Sequence, residues 1–220
     1  MSKIAKALRL DYYTAKSLFF VSLAISYIIA IALSVAVRQP VIAMVVAVIV
    51  SVYTGGSIFS VHEKNNCSRL YAVLPLNKTA VVAGRYLYAL VIGAVNIILA
   101  AACALVISHM IHAAIDPFTF WAAFSLMFLY YCFTVALSYP LLFGFSFAKA
   151  SISTMGPWII IIFALALLSR VPGAFNGLNS TVDYFQSHTM LMPILGVVTG
   201  LILLAVSMLI ANIIYNRKEI

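Results

Sequence analysis

The chain has 220 residues, of which 65% are hydrophobic and 8% charged, with a formal net charge of +8 and a mean hydropathy of +1.14. So little polar surface cannot cover a soluble domain, and the strict alternation of barrel strands is absent, so an all-α integral membrane protein is expected. Cys67, Cys103 and Cys132 are odd in number and the last two sit in apolar runs, which supports neither a disulfide framework nor a thiolate metal site.

A basic arm over residues 1–16 opens the chain. Ile4, Ala7, Leu8 and Tyr12 share an arc opposite Lys3, Lys6 and Arg9, as in an amphipathic helix lying on the inner leaflet. Asp11 falls within the apolar arc and is expected to pair with a nearby Lys or Arg. Six transmembrane helices are predicted over 17–37, 41–61, 85–108, 118–145, 152–169 and 189–215, each long enough to cross a hydrocarbon core of about 30 Å. The first is too long for a signal-peptide core, and no small-residue cleavage site follows it.

Between the second and third spans lies the most charged interior segment, with His62, Glu63, Lys64, Arg69, Lys78 and Arg85. Over 62–76 it reads as a short amphipathic helix. Cys67, Leu70, Tyr71 and Leu74 fall at i, i+3, i+4 and i+7, while Glu63, Asn65, Asn66, Ser68 and Arg69 point elsewhere. Pro75 stops that helix and Asn77 is positioned to cap the next one. An ordered helix on the wet side suits a docked partner, the plainer alternative being a helix resting among lipid headgroups.

With the N-terminus inside, all but Arg38 and Arg170 of the 13 Lys and Arg fall on cytoplasmic segments, so both termini are expected in the cytoplasm. These cations flank the spans, suit anionic headgroups of the lipid bilayer, and form no aromatic-interleaved patch, so no nucleic-acid partner is expected. Within the spans, Thr54 and Ser57 lie in a small, polar stretch of the second, Asn96 in the third, and Tyr130, Tyr131, Thr134, Ser138 and Tyr139 in the fourth. Such groups need partners in lipid and are expected to face the bundle; Thr54, Ser57, Asn96, Tyr131, Thr134 and Ser138 are the candidates for a translocation path. Gly196 and Gly200 form a G-x-x-x-G in the sixth span, where two backbones can approach. On the outer side, His109, His112 and Asp116 have ligand-like spacing without a fourth ligand, so no metal site is assigned. The longer loop over 170–188 is expected to carry short helices on the outer face.

The run Glu63-Lys64-Asn65-Asn66-Cys67-Ser68-Arg69-Leu70-Tyr71-Ala72-Val73-Leu74-Pro75-Leu76-Asn77-Lys78-Thr79-Ala80-Val81-Val82, continuing to Arg85-Tyr86-Leu87, resembles the segment after the second span of ABC-2-type transporter permeases. Leu10-Asp11-Tyr12-Tyr13 followed by Lys16 is similar to the cytoplasmic elbow of small members of that family, and the six-span layout agrees over the whole chain. Where the family often has Ser-Arg after the Pro, this chain has Asn77-Lys78, which keeps both cap and charge. The resemblance implies one permease domain over 1–220 in a bacterial cell membrane, serving an ATP-binding cassette (ABC) exporter. It makes 62–76 the coupling helix, so Glu63, Lys64, Cys67, Arg69, Leu70, Tyr71 and Leu74 would contact a separate ATPase subunit. ATP and Mg would be bound by that subunit, since this chain has no G-x-x-x-x-G-K-S/T loop. A second permease chain, identical or related, would complete the path.

Two other classes stand beside this one. An intramembrane enzyme needs an activated nucleophile or a metal cluster, and no histidine lies in a predicted span to activate Ser146 of Gly144-Phe145-Ser146-Phe147. A permease-like immunity or sensor subunit, which binds an ATPase without transporting, stays open. For a transporter, spans without Asp, Glu, Lys or Arg at depth argue against ion coupling and favour an amphipathic or hydrophobic cargo such as a peptide, lipid or drug.

Overall fold

No glycine or proline occurs between Lys3 and Val37, and the computed structural model forms one unbroken helix over that whole stretch, α1 (Lys3–Val37). The structure describes residues 3–64, 78–145, 147, 150 and 184–217. Residues 3–16 of the arm expected as an in-plane element over 1–16 continue without a break into the first span as part of α1, because nothing in the sequence interrupts the backbone ladder. A helix of 35 residues is about 52 Å long, well beyond a hydrocarbon thickness of about 30 Å.

Four further long helices follow: α2 (Val41–Lys64), α3 (Lys78–Met110), α4 (Pro117–Gly144) and α5 (Leu191–Arg217). No strand occurs among the described residues. Among the described residues, four helices are long and apolar enough to cross a membrane, namely α1 over Phe20–Val37, α3, α4 and α5. The predicted second span is helical throughout within α2, and the predicted fifth, 152–169, lies outside the described residues. The third begins at Lys78 rather than at residue 85, directly after Asn77, which places Arg85 two turns inside the helix.

Local chemistry fixes the helix ends. α1 stops where Arg38 takes a left-handed φ of 57°, with Gln39 N–H donating to Ser34 O at 3.1 Å and Arg38 N–H to Val35 O at 3.3 Å. This pair of bonds is a Schellman closure on a residue other than glycine. α3 closes in a similar way at His112 (φ 51°), where Ala113 N–H reaches Ser108 O at 3.1 Å and Ser108 Oγ donates to Ala113 O at 2.6 Å. Asp116 starts α4 as its N-cap, accepting from Thr119 N–H at 2.9 Å and from Thr119 Oγ at 3.1 Å, with Pro117 at the first helical position.

Packing divides the bundle into two overlapping groups. α1, α2 and α3 meet through small residues, with Ala30, Ala43, Ala47, Ala100 and Ala104 fully or almost fully buried around Met44. α3, α4 and α5 meet through larger ones, with Phe128, Tyr131 and Tyr139 of α4 at the centre. The G-x-x-x-G of α5 packs against α4: a Cβ on Gly196 would stand 2.1 Å from Ser125 Oγ, and one on Gly200 2.7 Å from a Phe128 ring carbon. The missing side chains therefore let α5 lie close on α4, and Ser125 Oγ adds a bond to Met192 O at 2.9 Å. Outward-facing Ile28, Ile98, Leu126 and Leu209 are all more than half exposed, as suits lipid-facing surface.

Candidate functional site at the charged end of the bundle

α2 ends, and α3 and α5 respectively begin and end, with charge at one end of the bundle: Glu63 and Lys64, Lys78, and Arg217. Glu63 is exposed, and its Oε2 accepts the backbone N–H of Phe147 at 2.6 Å. The last turn of α2 is thus tied to the chain just beyond α4. Of the predicted ATPase contacts, Lys64 is the final residue of α2, while Cys67, Arg69, Leu70, Tyr71 and Leu74 lie outside the described residues.

Arg85 departs from its expected place as a flanking cation. It is only 8% exposed, with its guanidinium carbon 4.5 Å from the centre of the Phe59 ring and 5.3 Å from that of Phe143. Aromatic faces carry negative charge density, and a desolvated cation held over one gains about 2 kcal/mol, which offsets part of the cost of leaving water. The rings hold one another as well. Phe59 meets Tyr139 and Phe143 edge-on with centroids 5.1 Å apart in each case, Tyr86 meets Tyr139 at 5.1 Å, and Phe143 meets Tyr215 at 5.3 Å. Rings of α2 and α4 therefore face Arg85 of α3, and α5 joins the cluster through Tyr215 against Phe143. Sequence reading missed this cluster, although its signal was present: Phe59, Tyr86, Tyr139, Phe143 and Tyr215 all lie near the same end of their helices, at the depth where membrane proteins concentrate aromatic rings.

The four predicted path residues whose side chains are described, Asn96, Tyr131, Thr134 and Ser138, are not gathered around one opening. Asn96 is fully buried; its Nδ2 donates to Ala47 O at 3.3 Å, and Tyr27 O–H donates to its Oδ1 at 3.0 Å. One amide thereby joins α1, α2 and α3. Tyr131 points from α4 to α3, donating to Ala89 O at 2.7 Å with its ring against the bare backbone of Gly93. Thr134 and Ser138 bond back within α4, to Tyr130 O at 2.8 Å and Thr134 O at 2.6 Å. Thr54 and Ser57 lie on α2, and their side chains are outside the described set. Among the surface grooves, one of about 340 Å³ between α3 and α5 is mostly apolar in its lining, which includes Leu90, Leu201 and Met208. A second, of about 450 Å³ at the opposite end, is lined by Ser108, His109 and His112. None of Asn96, Tyr131, Thr134 and Ser138 lines either groove. Near that opposite end, Asp116 is engaged as a helix cap, and no cluster of three or more metal-binding side chains occurs among the described residues. In the predicted outer loop, residues 184–187 form a helical turn in which Tyr184 stacks on His188 at 4.9 Å.

No curated protein sequence matches the chain. The family model described as ABC-2 family transporter protein matches residues 6–216, almost the full length of this multi-helix membrane protein, and the chain therefore belongs to the ABC-2 family of transporter proteins.

Proposed function

We propose that this chain is the membrane-spanning permease subunit of an ABC exporter, pairing with a second permease chain and driven by separate ATPase subunits. The observation that carries the reading is the family match over residues 6–216. The charged end adds support for where the drive would enter. Glu63 and Lys64 end α2, Lys78 starts α3, and the expected ATPase contacts run from Glu63 to Leu74, between the two helices. In this reading that end faces the cytoplasm, with both termini, and Arg38 and His112 face outward. The path lies between two permease chains, for which the internally bonded Asn96 and Tyr131 are packing residues of one half and Thr54 and Ser57 remain wall candidates. The cargo is amphipathic or hydrophobic, in keeping with Arg85, the charged residue two turns inside α3, being already held over aromatic rings.

The test replaces Leu70 and Tyr71 together with Asp. The variant should insert in the membrane and lose both transport and transport-stimulated ATP hydrolysis, because the apolar stripe can no longer be buried on the ATPase. Unchanged co-purification and activity overturn the docking assignment. A non-transporting immunity or sensor subunit would bind the same ATPase, and a complex that hydrolyses ATP but moves no cargo favours that alternative.

A further inference from the structure

Pro140 lies inside α4, four residues before its end. Proline has no N–H, so the carbonyl of Ala136, one turn back, loses its intrahelical donor and is pushed aside by the ring. A carbonyl freed in this way at membrane depth needs a donor from elsewhere. Ser207 of α5 supplies it, its Oγ donating to Ala136 O at 2.6 Å. A serine hydroxyl carries a single proton, so the 2.7 Å bond between Tyr86 and Ser207 must run from the tyrosine O–H to Ser207 Oγ. The relay Tyr86 to Ser207 to Ala136 thus joins α3, α5 and α4 at the proline, and both side chains in it are buried.

The stretch of α4 on either side of this point differs in how it is held. Before Pro140, Thr134 and Ser138 share carbonyls already used in the backbone ladder, a bonding pattern that bends helices. After it, the last turn carries Phe143, whose ring lies under Arg85 of α3 and against Tyr215 of α5. That turn closes with Phe145 N–H donating to Leu141 O at 2.8 Å.

We propose that the last turn of α4, from Pro140 to Gly144, is a hinged lever latched by the Tyr86–Ser207–Ala136 relay, which passes movement at the start of α3 through Arg85 and Phe143 to α5. The lever's use in transport rests on the permease reading above, in which the ATPase moves the segment leading into α3. Tyr86 and Ser207 are positioning residues in this scheme.

A double-mutant cycle on the purified protein tests the relay without reference to transport. Pro140→Ala restores an N–H for Ala136 O and makes the serine redundant. Ser207→Ala should therefore lower the melting midpoint by about 2 °C in the native chain, as for a typical interhelical bond, and by less than half of that in the Pro140→Ala background. An equal drop in both overturns the relay. Tyr86→Phe, which keeps the ring and removes only the donor, gives an independent arm: its cost should vanish once Ser207 is alanine, and persistence of that cost also counts against the relay. With the partner ATPase, Pro140→Ala should slow transport several-fold while leaving cargo-independent ATP hydrolysis unchanged; undiminished transport overturns the lever. A native complex that moves no cargo overturns the permease reading and the lever's role together, while the relay is judged by melting alone.

Discussion

Replacing Gly93 by alanine offers a sharp test of the seam between α3 and α4. The added Cβ would stand 2.1 Å from Tyr131 Cε1, 2.5 Å from Cζ and 2.6 Å from Cδ1, so the whole ring must shift by more than 1 Å to reach an ordinary contact of about 3.5–4.0 Å. Tyr131 has little freedom to do so, being 1% exposed and bonded to Ala89 O at 2.7 Å. Overpacking of this kind costs about 1–3 kcal/mol, and loss of the interhelical bond adds about 0.6 kcal/mol. Against this, alanine is favoured over glycine in a helix interior by up to about 1 kcal/mol. The clash outweighs the propensity gain, and the net loss of about 1–3 kcal/mol should lower the melting midpoint in detergent by about 3–10 °C. Gly144→Ala is the control, since its Cβ would meet only the Ile214 methyl at 3.3 Å, and it should melt close to the native chain. If Gly93→Ala melts at or above the native midpoint, Tyr131 does not occupy that notch.

Asn96→Ala should leave the α1–α2–α3 junction short of bonds to Tyr27 and Ala47 and cost about 1–2 kcal/mol by thermal melting, given that membrane hydrogen bonds contribute about 0.6 kcal/mol each and rarely exceed about 1.7. Tyr27→Phe should cost less, and an Asn96→Ala variant as stable as the native chain contradicts the junction. At Arg38, whose φ of 57° is left-handed, glycine should be more stable than alanine by about 1 kcal/mol, and equal melting of the two variants argues against the Schellman closure there. Cysteines introduced at Gln39, Ala114 and Asn179 should react with an impermeant thiol reagent in intact cells, while those at Asn66 and Ser151 should need permeabilised cells. Labelling of position 66 from outside reverses the proposed topology.

Hydrophobic run length made the described helices legible from sequence, because a backbone in lipid has to satisfy its bonds internally and long apolar runs leave it little choice but helix. The end of α4 and the limits of α5 fell within two residues of expectation. Where charge stood in for structure, the reading was poorer. In sequence Arg85 reads as a flanking cation, because a lone arginine gives no hint of the rings that surround it, and those rings come from other helices. Arm and first span merged into α1 for the opposite reason: amphipathicity suggested a boundary, but no residue was present to break the helix. The proline at position 140 was visible, yet the serine that satisfies its freed carbonyl lies 71 residues from Ala136, beyond any local pattern. Asn96 and Tyr131, two of the polar residues proposed for a path, bond across to other helices, and sequence alone could not separate a wall from a packed junction such as Asn96.

In the proposed function this chain is half of a paired membrane core powered by separate ATPases. Purifying it with its ATPase, determining the mass of the intact complex and assaying ATP-dependent transport by the same sample in vesicles tests that claim directly. Two membrane chains with two ATP-binding subunits, moving cargo only when both kinds are present, is the predicted result. A stable complex of one membrane chain and one ATPase that still transports would contradict it.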